Sequence, residues 1–347
     1  MSLVDLRSDT VTRPTKEMFD AITNSKLGDD VYQDDSTANE LQEKAADLLG
    51  KEDALIVTSG TQGNLISILA QTNRGDEVIV GNKSHIYNYE AGSTMIIGGT
   101  SLFPIPNNIH GSVDTYDLQN AKKTEDFHKP ITKMLALENT HNMAGGKVLN
   151  LAELELITSK AKELSLSLHL DGARLFNASI YLGVEAKKIT NYFDSVTFCL
   201  SKGLCCPIGS VIAGNREFIN ECRRWRKILG SGMRQVGVIA APGILALDTM
   251  IERLAEDHQN ATFLAEGLAN IKGIIIDPES IQTNIIRFNL SEKFSNKSTL
   301  LVSELMKKNI IINPSKNDYR IVTHHDISRE NCEYFLLCIA EILDNNN

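Results

Sequence analysis

Between Lys51 and Gly214 short apolar runs alternate with amphipathic stretches, the pattern of strands and helices in an α/β sheet. Residues 54–58, 77–80, 134–138, 166–171, 195–200 and 209–213 read as strands. Residues 62–73 and 151–164 read as helices, the latter opened by Asn150 as N-cap. This predicts a mostly parallel sheet covered by helices. A long helical stretch over 236–270 follows, and then the grammar changes. Strands at 273–277 and 284–289, a helix at 298–309, short strands at 310–312 and 320–323 and a closing helix at 329–343 describe a small α+β unit. We expect a large domain over 1–245 and a small C-terminal domain over 246–347, with the N-terminal segment in contact with the latter.

A chain of 347 residues exceeds what one hydrophobic core usually serves, which agrees with two domains. Lys and Arg number 35 against 44 Asp and Glu, so the net charge of −9 argues against nucleic acid or an anionic membrane as partner and for a small molecule. No apolar run approaches a membrane span, and the first residues show no signal-peptide core. The expected location is cytoplasmic. The six cysteines form no CxxC pair and no metal-type spacing, which fits reduced core thiols and no metal.

Ligands of open α/β sheets sit beyond the carboxyl ends of the strands, so the polar residues after each apolar run come first. Ser59-Gly60-Thr61 opens the helix after 54–58, and its free amides, glycine and two hydroxyls suit a phosphate. Asp171 closes the alternating run Leu166, Leu168, Leu170; it serves either as a helix cap or as the partner of a pyridine nitrogen. Lys202 follows Val196, Phe198 and Leu200 and precedes a stretch poor in charge, Gly203-Leu204-Cys205-Cys206-Pro207-Ile208-Gly209. Desolvation there favours the neutral amine that Schiff-base chemistry needs. Together the three features are the parts required to hold pyridoxal 5'-phosphate.

The stretches Leu6-Arg7-Ser8-Asp9-Thr10-Val11-Thr12, Gly28-Asp29-Asp30-Val31-Tyr32, Leu137-Glu138-Asn139-Thr140-His141-Asn142, Asp171-Gly172-Ala173-Arg174, Leu200-Ser201-Lys202-Gly203-Leu204, Gly232-Met233-Arg234-Gln235 and Arg320-Ile321-Val322-Thr323-His324 resemble those of the low-specificity L-threonine aldolases. That resemblance runs from residue 3 to about 340. It implies the aspartate-aminotransferase-like fold with a seven-stranded type of sheet, and cleavage of L-threonine or L-allo-threonine to glycine and an aldehyde. It further implies that Lys202 carries the cofactor, Asp171 pairs with its ring nitrogen, and Ser59, Gly60 and Thr61 hold its phosphate. His85 matches the histidine that stacks on the ring, and His128 matches a second histidine near the substrate hydroxyl. Ser8, Arg174 and Arg320 match the residues that hold the substrate carboxylate. Arg234 and Lys227 match residues that approach the site, in a homodimer or homotetramer whose subunits share active sites.

The base at the β-hydroxyl stays open among His85, His128 and a water. Cys205-Cys206 stands where the family often has Gly, Ala or Thr, and Gly230-Ser231-Gly232 replaces three glycines. Two other functions fit the same parts: an aminotransferase or β-eliminating lyase on this scaffold, and a non-catalytic binder of a phosphate ligand.

Overall fold

The computed structural model describes residues 3–344. Seven strands form the main sheet: β1 (Asp53–Val57), β2 (Asp76–Gly81), β3 (Ser101–Ile105), β4 (Ile131–Glu138), β5 (Ser167–Asp171), β6 (Ser195–Cys199) and β7 (Ser210–Gly214). Their order is β1-β7-β6-β5-β4-β2-β3, and β7 runs antiparallel to both neighbours while the other pairs are parallel. The edge strand β3 was not expected from the sequence, because Pro104 and its half-buried residues weaken the strand signal.

The helices used below are α1 (Lys16–Thr23), α2 (Ser36–Leu49), α3 (Gly60–Leu69), α4 (His85–Asn88), α5 (Leu151–Glu163), α6 (Leu175–Leu182), α7 (Arg216–Ile228), α8 (Gly237–Thr249), α9 (Leu254–Ala269), α10 (Ser298–Lys307) and α11 (Arg329–Asp344). Asn150 caps α5 as expected, in a capping box with Glu153. Alternation along the central strands sorts their faces. Leu168, Leu170, Val196 and Phe198 join the main apolar core. The intervening His169, Asp171, Ser195 and Thr197 are buried too, so they need polar partners.

α3 supplies those partners by coming unusually close. A Cβ at Gly63 would lie 2.5 Å from Thr197 Cγ2, and one at Gly60 would lie 2.9 Å from Cys199 Sγ. Glycine at both positions lets Asn64 and Ser67 reach the polar face of the sheet.

The smaller sheet is antiparallel, in the order β10-β9-β8, from β8 (Ile274–Ile275), β9 (Ile285–Leu290) and β10 (Asp318–Val322). The short strand Ile310–Ile311 pairs instead, in parallel, with Val4–Asp5. Val4 and Leu6 accordingly lie in the second core with residues of α9, α10 and α11. The helical stretch 236–270 is two helices, and the expected boundary at 245/246 falls inside the first of them. Val236, Ala240, Ala246, Leu247, Met250 and Leu254 all pack in the main core, and the second core begins at Ala261 of α9. Among the described residues no helix is long and apolar enough to cross a membrane. All six cysteines are buried and unpaired.

Candidate active site

Three neighbouring strands end together: β4 at Glu138, β5 at Asp171, and β6 just before Ser201-Lys202. Asp171 is 2% exposed; its Oδ1 accepts from the Ala173 amide at 3.1 Å and its Oδ2 from Asn64 Nδ2 at 3.0 Å. The backbone carbonyl of Lys202 accepts from Thr12 Oγ1 at 2.9 Å and from the Cys205 amide at 2.9 Å, which fixes the turn. Cys205 itself sits at φ 62°, a left-handed position that suits glycine. Burial pushes the Cys205 thiol up to about 12, so it remains protonated.

His85 is the first residue of α4, after its cap Ser84. Its backbone amide donates to Glu138 Oε2 at 2.6 Å, and its Nδ1 lies 2.9 Å from Glu90 Oε1. The Glu90 contact raises the imidazole above its ordinary value of 6.5, burial works against this, and Asp171 and Glu138 add to it. One side-chain atom each of His85, Glu90 and Asp171 lies within 4.8 Å of the others.

The arginines stand on the side of the smaller sheet. Arg320, on β10, donates from Nη1 to the Arg7 carbonyl at 3.1 Å and from Nη2 to Asn142 Oδ1 at 2.9 Å, while its buried Nε has no partner among the described residues. Burial and the neighbouring Arg174 push it down to about 10. Arg174 was expected to offer its fork to a substrate carboxylate. Instead Nε and Nη2 donate to Asp9 at 2.7 and 2.6 Å, so the fork is engaged with a carboxylate of the chain itself and Nη1 is left. Ser8 adjoins this pair, with its Oγ accepting from the Thr10 amide at 3.2 Å.

At the start of α3, Ser59 Oγ accepts from the Gln62 amide at 3.2 Å and the Ser59 carbonyl from the Gly63 amide at 3.0 Å. The Gly60 and Thr61 amides have no acceptor among the described residues. Gln62 Nε2 donates to Ser231 Oγ at 2.5 Å, which brings the 230–235 loop beside this helix start. In that loop Arg234 is half-exposed and donates from Nη1 to Asp29 Oδ2 at 3.0 Å. Lys227, at the end of α7, is exposed.

Within one subunit His128 is not part of this cluster. It precedes Ile131, the first residue of β4, whereas the site lies beyond Glu138, the last. At roughly 3.3 Å per residue that strand separates them by about 23 Å. The imidazole is 70% exposed and its Nδ1 lies 2.8 Å from Asp126 Oδ1. A groove of about 830 Å³ opens between α2, α6 and α8 and contains none of these site residues.

Asp9, Asn64, Glu90, Glu138, Asn142 and His169 had no assigned role in the sequence. Asp9, Glu138 and Asn142 stand inside the motifs quoted above, which was the available signal. Asn64, Glu90 and His169 have none, since only the fold brings them together. The donor set nevertheless suits pyridoxal phosphate. Lys202 has an amine that no hydrogen bond or ion pair holds among the described residues, Asp171 is a buried acceptor, and the α3 amides are free for an anion.

Comparison with known proteins defines the class first. A family model described as beta-eliminating lyase matches residues 5–291. The low specificity L-threonine aldolase of Escherichia coli K12 is 44% identical over 329 residues, 94% of this chain and 96% of that one. A probable low-specificity L-threonine aldolase of Arabidopsis thaliana is 41% identical over 98% of this chain and 97% of its own. The chain belongs to the low-specificity L-threonine aldolase family. In fold it resembles the threonine aldolase of Leishmania major, with a TM-score of 0.83 at 22% identity, over 98% of this chain and 99% of that one.

Proposed function

We propose that this protein is a pyridoxal-phosphate-dependent lyase that cleaves L-threonine or L-allo-threonine between Cα and Cβ, giving glycine and acetaldehyde. The observation that carries this reading is the convergence at adjacent strand ends of an unengaged lysine, a buried aspartate and, facing them, an arginine whose Nε lacks a partner. When bound, the cofactor supplies the electron sink that stabilises negative charge at Cα. Lys202 is the residue that carries it, Asp171 keeps its ring nitrogen protonated, and Ser59, Gly60 and Thr61 hold its phosphate, with Arg234 at the edge.

Arg320, Ser8 and the remaining Nη1 of Arg174 bind the substrate carboxylate and so orient the bond to be broken. His85 is the imidazole of the same subunit at the β-hydroxyl. His128 takes part only if the copy in a neighbouring subunit reaches in. Exposed apolar residues on the 27–32 segment (Leu27, Val31, Tyr32) and at Met95, Ile96 and Ile97 suit a subunit interface and support assembly as a homodimer or homotetramer. Sedimentation of a fully active monomer would overturn that assembly.

The beta-eliminating lyase description of the matching model favours one other outcome, elimination of the β-hydroxyl. Product analysis decides between them. Purified protein with pyridoxal phosphate and L-threonine should form glycine and acetaldehyde in equal amounts without a keto-acid acceptor, whereas 2-oxobutanoate and ammonia as the main products would refute the cleavage.

Arg320→Ala should keep its cofactor but lose substrate saturation, because the side chain faces the carboxylate and not the ring. Loss of one charged hydrogen-bonding partner costs on the order of 2 to 3 kcal/mol, equivalent to roughly 30- to 150-fold in kcat/KM. Steady-state kinetics with an unchanged kcat/KM would remove Arg320 from the site.

A further inference from the structure

Glu90 lies in the loop after α4, outside every motif used so far, and is 3% exposed. Its Oε1 accepts from Asn64 Nδ2 at 2.8 Å and lies 2.9 Å from His85 Nδ1, while its Oε2 is buried with no partner among the described residues. The same Asn64 nitrogen donates to Asp171 Oδ2 at 3.0 Å. Each of its two hydrogens thus serves one carboxylate. The other contact of the Asn64 amide, with His169 Nε2 at 3.1 Å, must be made by Oδ1, which can only accept.

That requirement places the His169 proton on Nε2 and leaves Nδ1 as the acceptor for Ser195 Oγ at 2.9 Å. Ser195 Oγ in turn accepts from Gln71 Nε2 at 2.8 Å. Burial pushes the His169 imidazole down to about 4, so it stays neutral and keeps this tautomer. The run Gln71, Ser195, His169, Asn64 therefore has a single direction, with every hydrogen handed towards the carboxylates. A flipped Asn64 would turn its carbonyl oxygen on two acids and its amide on the protonated face of His169. The amide is locked, and with it the spacing of Asp171 and Glu90.

We propose that Glu90 is a positioning residue for this reaction: it holds the proton of His85 on Nδ1, which leaves Nε2 as the nitrogen that exchanges a proton with the substrate, and through Asn64 it ties His85 to Asp171. A carboxylate behind an imidazole sets tautomer and ring orientation in this way wherever the far nitrogen does chemistry. The inference rests on the reading above, which places His85 and Asp171 at the cofactor.

The groups that face His85 come from several elements. Glu90 follows it on the same loop, Glu138 comes from the end of β4, Asp171 from the end of β5, and the Tyr89 ring lies 5.6 Å away. The cations Lys202, Arg174 and Arg320 gather around Asp9. Glu90 is the only one of the three acids in hydrogen-bond contact with the ring among the described residues.

The test uses the complete enzyme, with and without pyridoxal phosphate, as wild type, Glu90→Gln and Glu90→Asp. Histidine resonances are followed against pH, with His85 assigned from its absence in His85→Asn. In Glu90→Gln the His85 midpoint should fall by about one pH unit and the Nδ1–H preference should weaken. Glu90→Asp, which keeps the charge, should recover most of both. With threonine, kcat of Glu90→Gln should drop about 10- to 100-fold with little change in KM.

An unchanged His85 midpoint in Glu90→Gln, or an Asp variant as displaced as the Gln variant, overturns the proposal; if Glu90→Gln does not fold, the wild-type tautomer decides, and a neutral His85 that carries its proton on Nε2 overturns it. A wild type that titrates as described but does not cleave threonine would sink the functional reading instead, so the two failures are distinguishable.

Discussion

Replacing Lys202 by alanine should leave the protein folded, lower threonine cleavage by several orders of magnitude, and abolish borohydride trapping of the cofactor on the chain. The fold should survive because the contacts at this residue are made by its backbone. Its carbonyl accepts from Thr12 Oγ1 and the Cys205 amide, each at 2.9 Å, and alanine keeps both. The side chain fills no core position and makes no hydrogen bond among the described residues. Pyridoxal phosphate should still bind, through the α3 amides and Asp171, but without a covalent link. Turnover needs the amine twice, to hand the cofactor to the substrate and to release glycine. Borohydride reduction of wild type and variant, followed by peptide mass mapping and circular dichroism, checks each part. Reduced cofactor on a different lysine, or an active variant, would remove Lys202 from its role.

The positions of Asp171 at a strand end and of Lys202 just beyond one were legible because the alternation of each strand is written locally. Leu166, Leu168 and Leu170 point to Asp171, and Val196, Phe198 and Leu200 point to the turn that carries Lys202. Such a period fixes where a strand ends, and the parallel sheet then brings the ends together. What the sequence left unread depends on contacts between distant segments. The strand at Ile310–Ile311 pairs with Val4–Asp5, and no local pattern marks that partnership. Gly60 and Gly63 look like ordinary helix weakeners until Thr197 and Cys199 are seen against them. Asn64, Glu90 and His169 meet only because α3 packs that closely, which is why a directed chain of hydrogen bonds stayed hidden.

His128 is a different case. A short local likeness suggested the site, but strand direction places the residue at the opposite end of β4 from the site in its own subunit. Arg174 is intermediate. It was expected to hold a substrate carboxylate, and the structure shows its fork engaged by a carboxylate of the chain itself, Asp9.

That pair predicts that Arg174→Ala damages stability as well as activity, unlike Arg320→Ala. Asp9 is fully buried and accepts from Arg174 Nε and Nη2 and, at 3.3 Å, from Asn284 Nδ2. Burial alone would push its carboxyl up; Arg174 first, then Lys202 and Arg320, outweigh this and hold it well below the ordinary carboxylate range. A depressed folded value contributes stability above the unfolded value of about 3.9, and that contribution is lost as pH falls through the folded value. Removing the guanidinium leaves a buried charge short of its main partner, at a cost of roughly 3 to 5 kcal/mol near neutral pH. The Asp9 carboxyl of the variant should also titrate at a higher pH than in wild type. Its native state therefore binds a proton sooner on acidification, and the stability gap between the two proteins should narrow as pH falls from 7 towards 4. Urea midpoints at fixed protein concentration across that range give the answer. A gap near zero at pH 7, or one that widens towards acid, would show that Asp9 and Arg174 are not the coupled pair the structure describes.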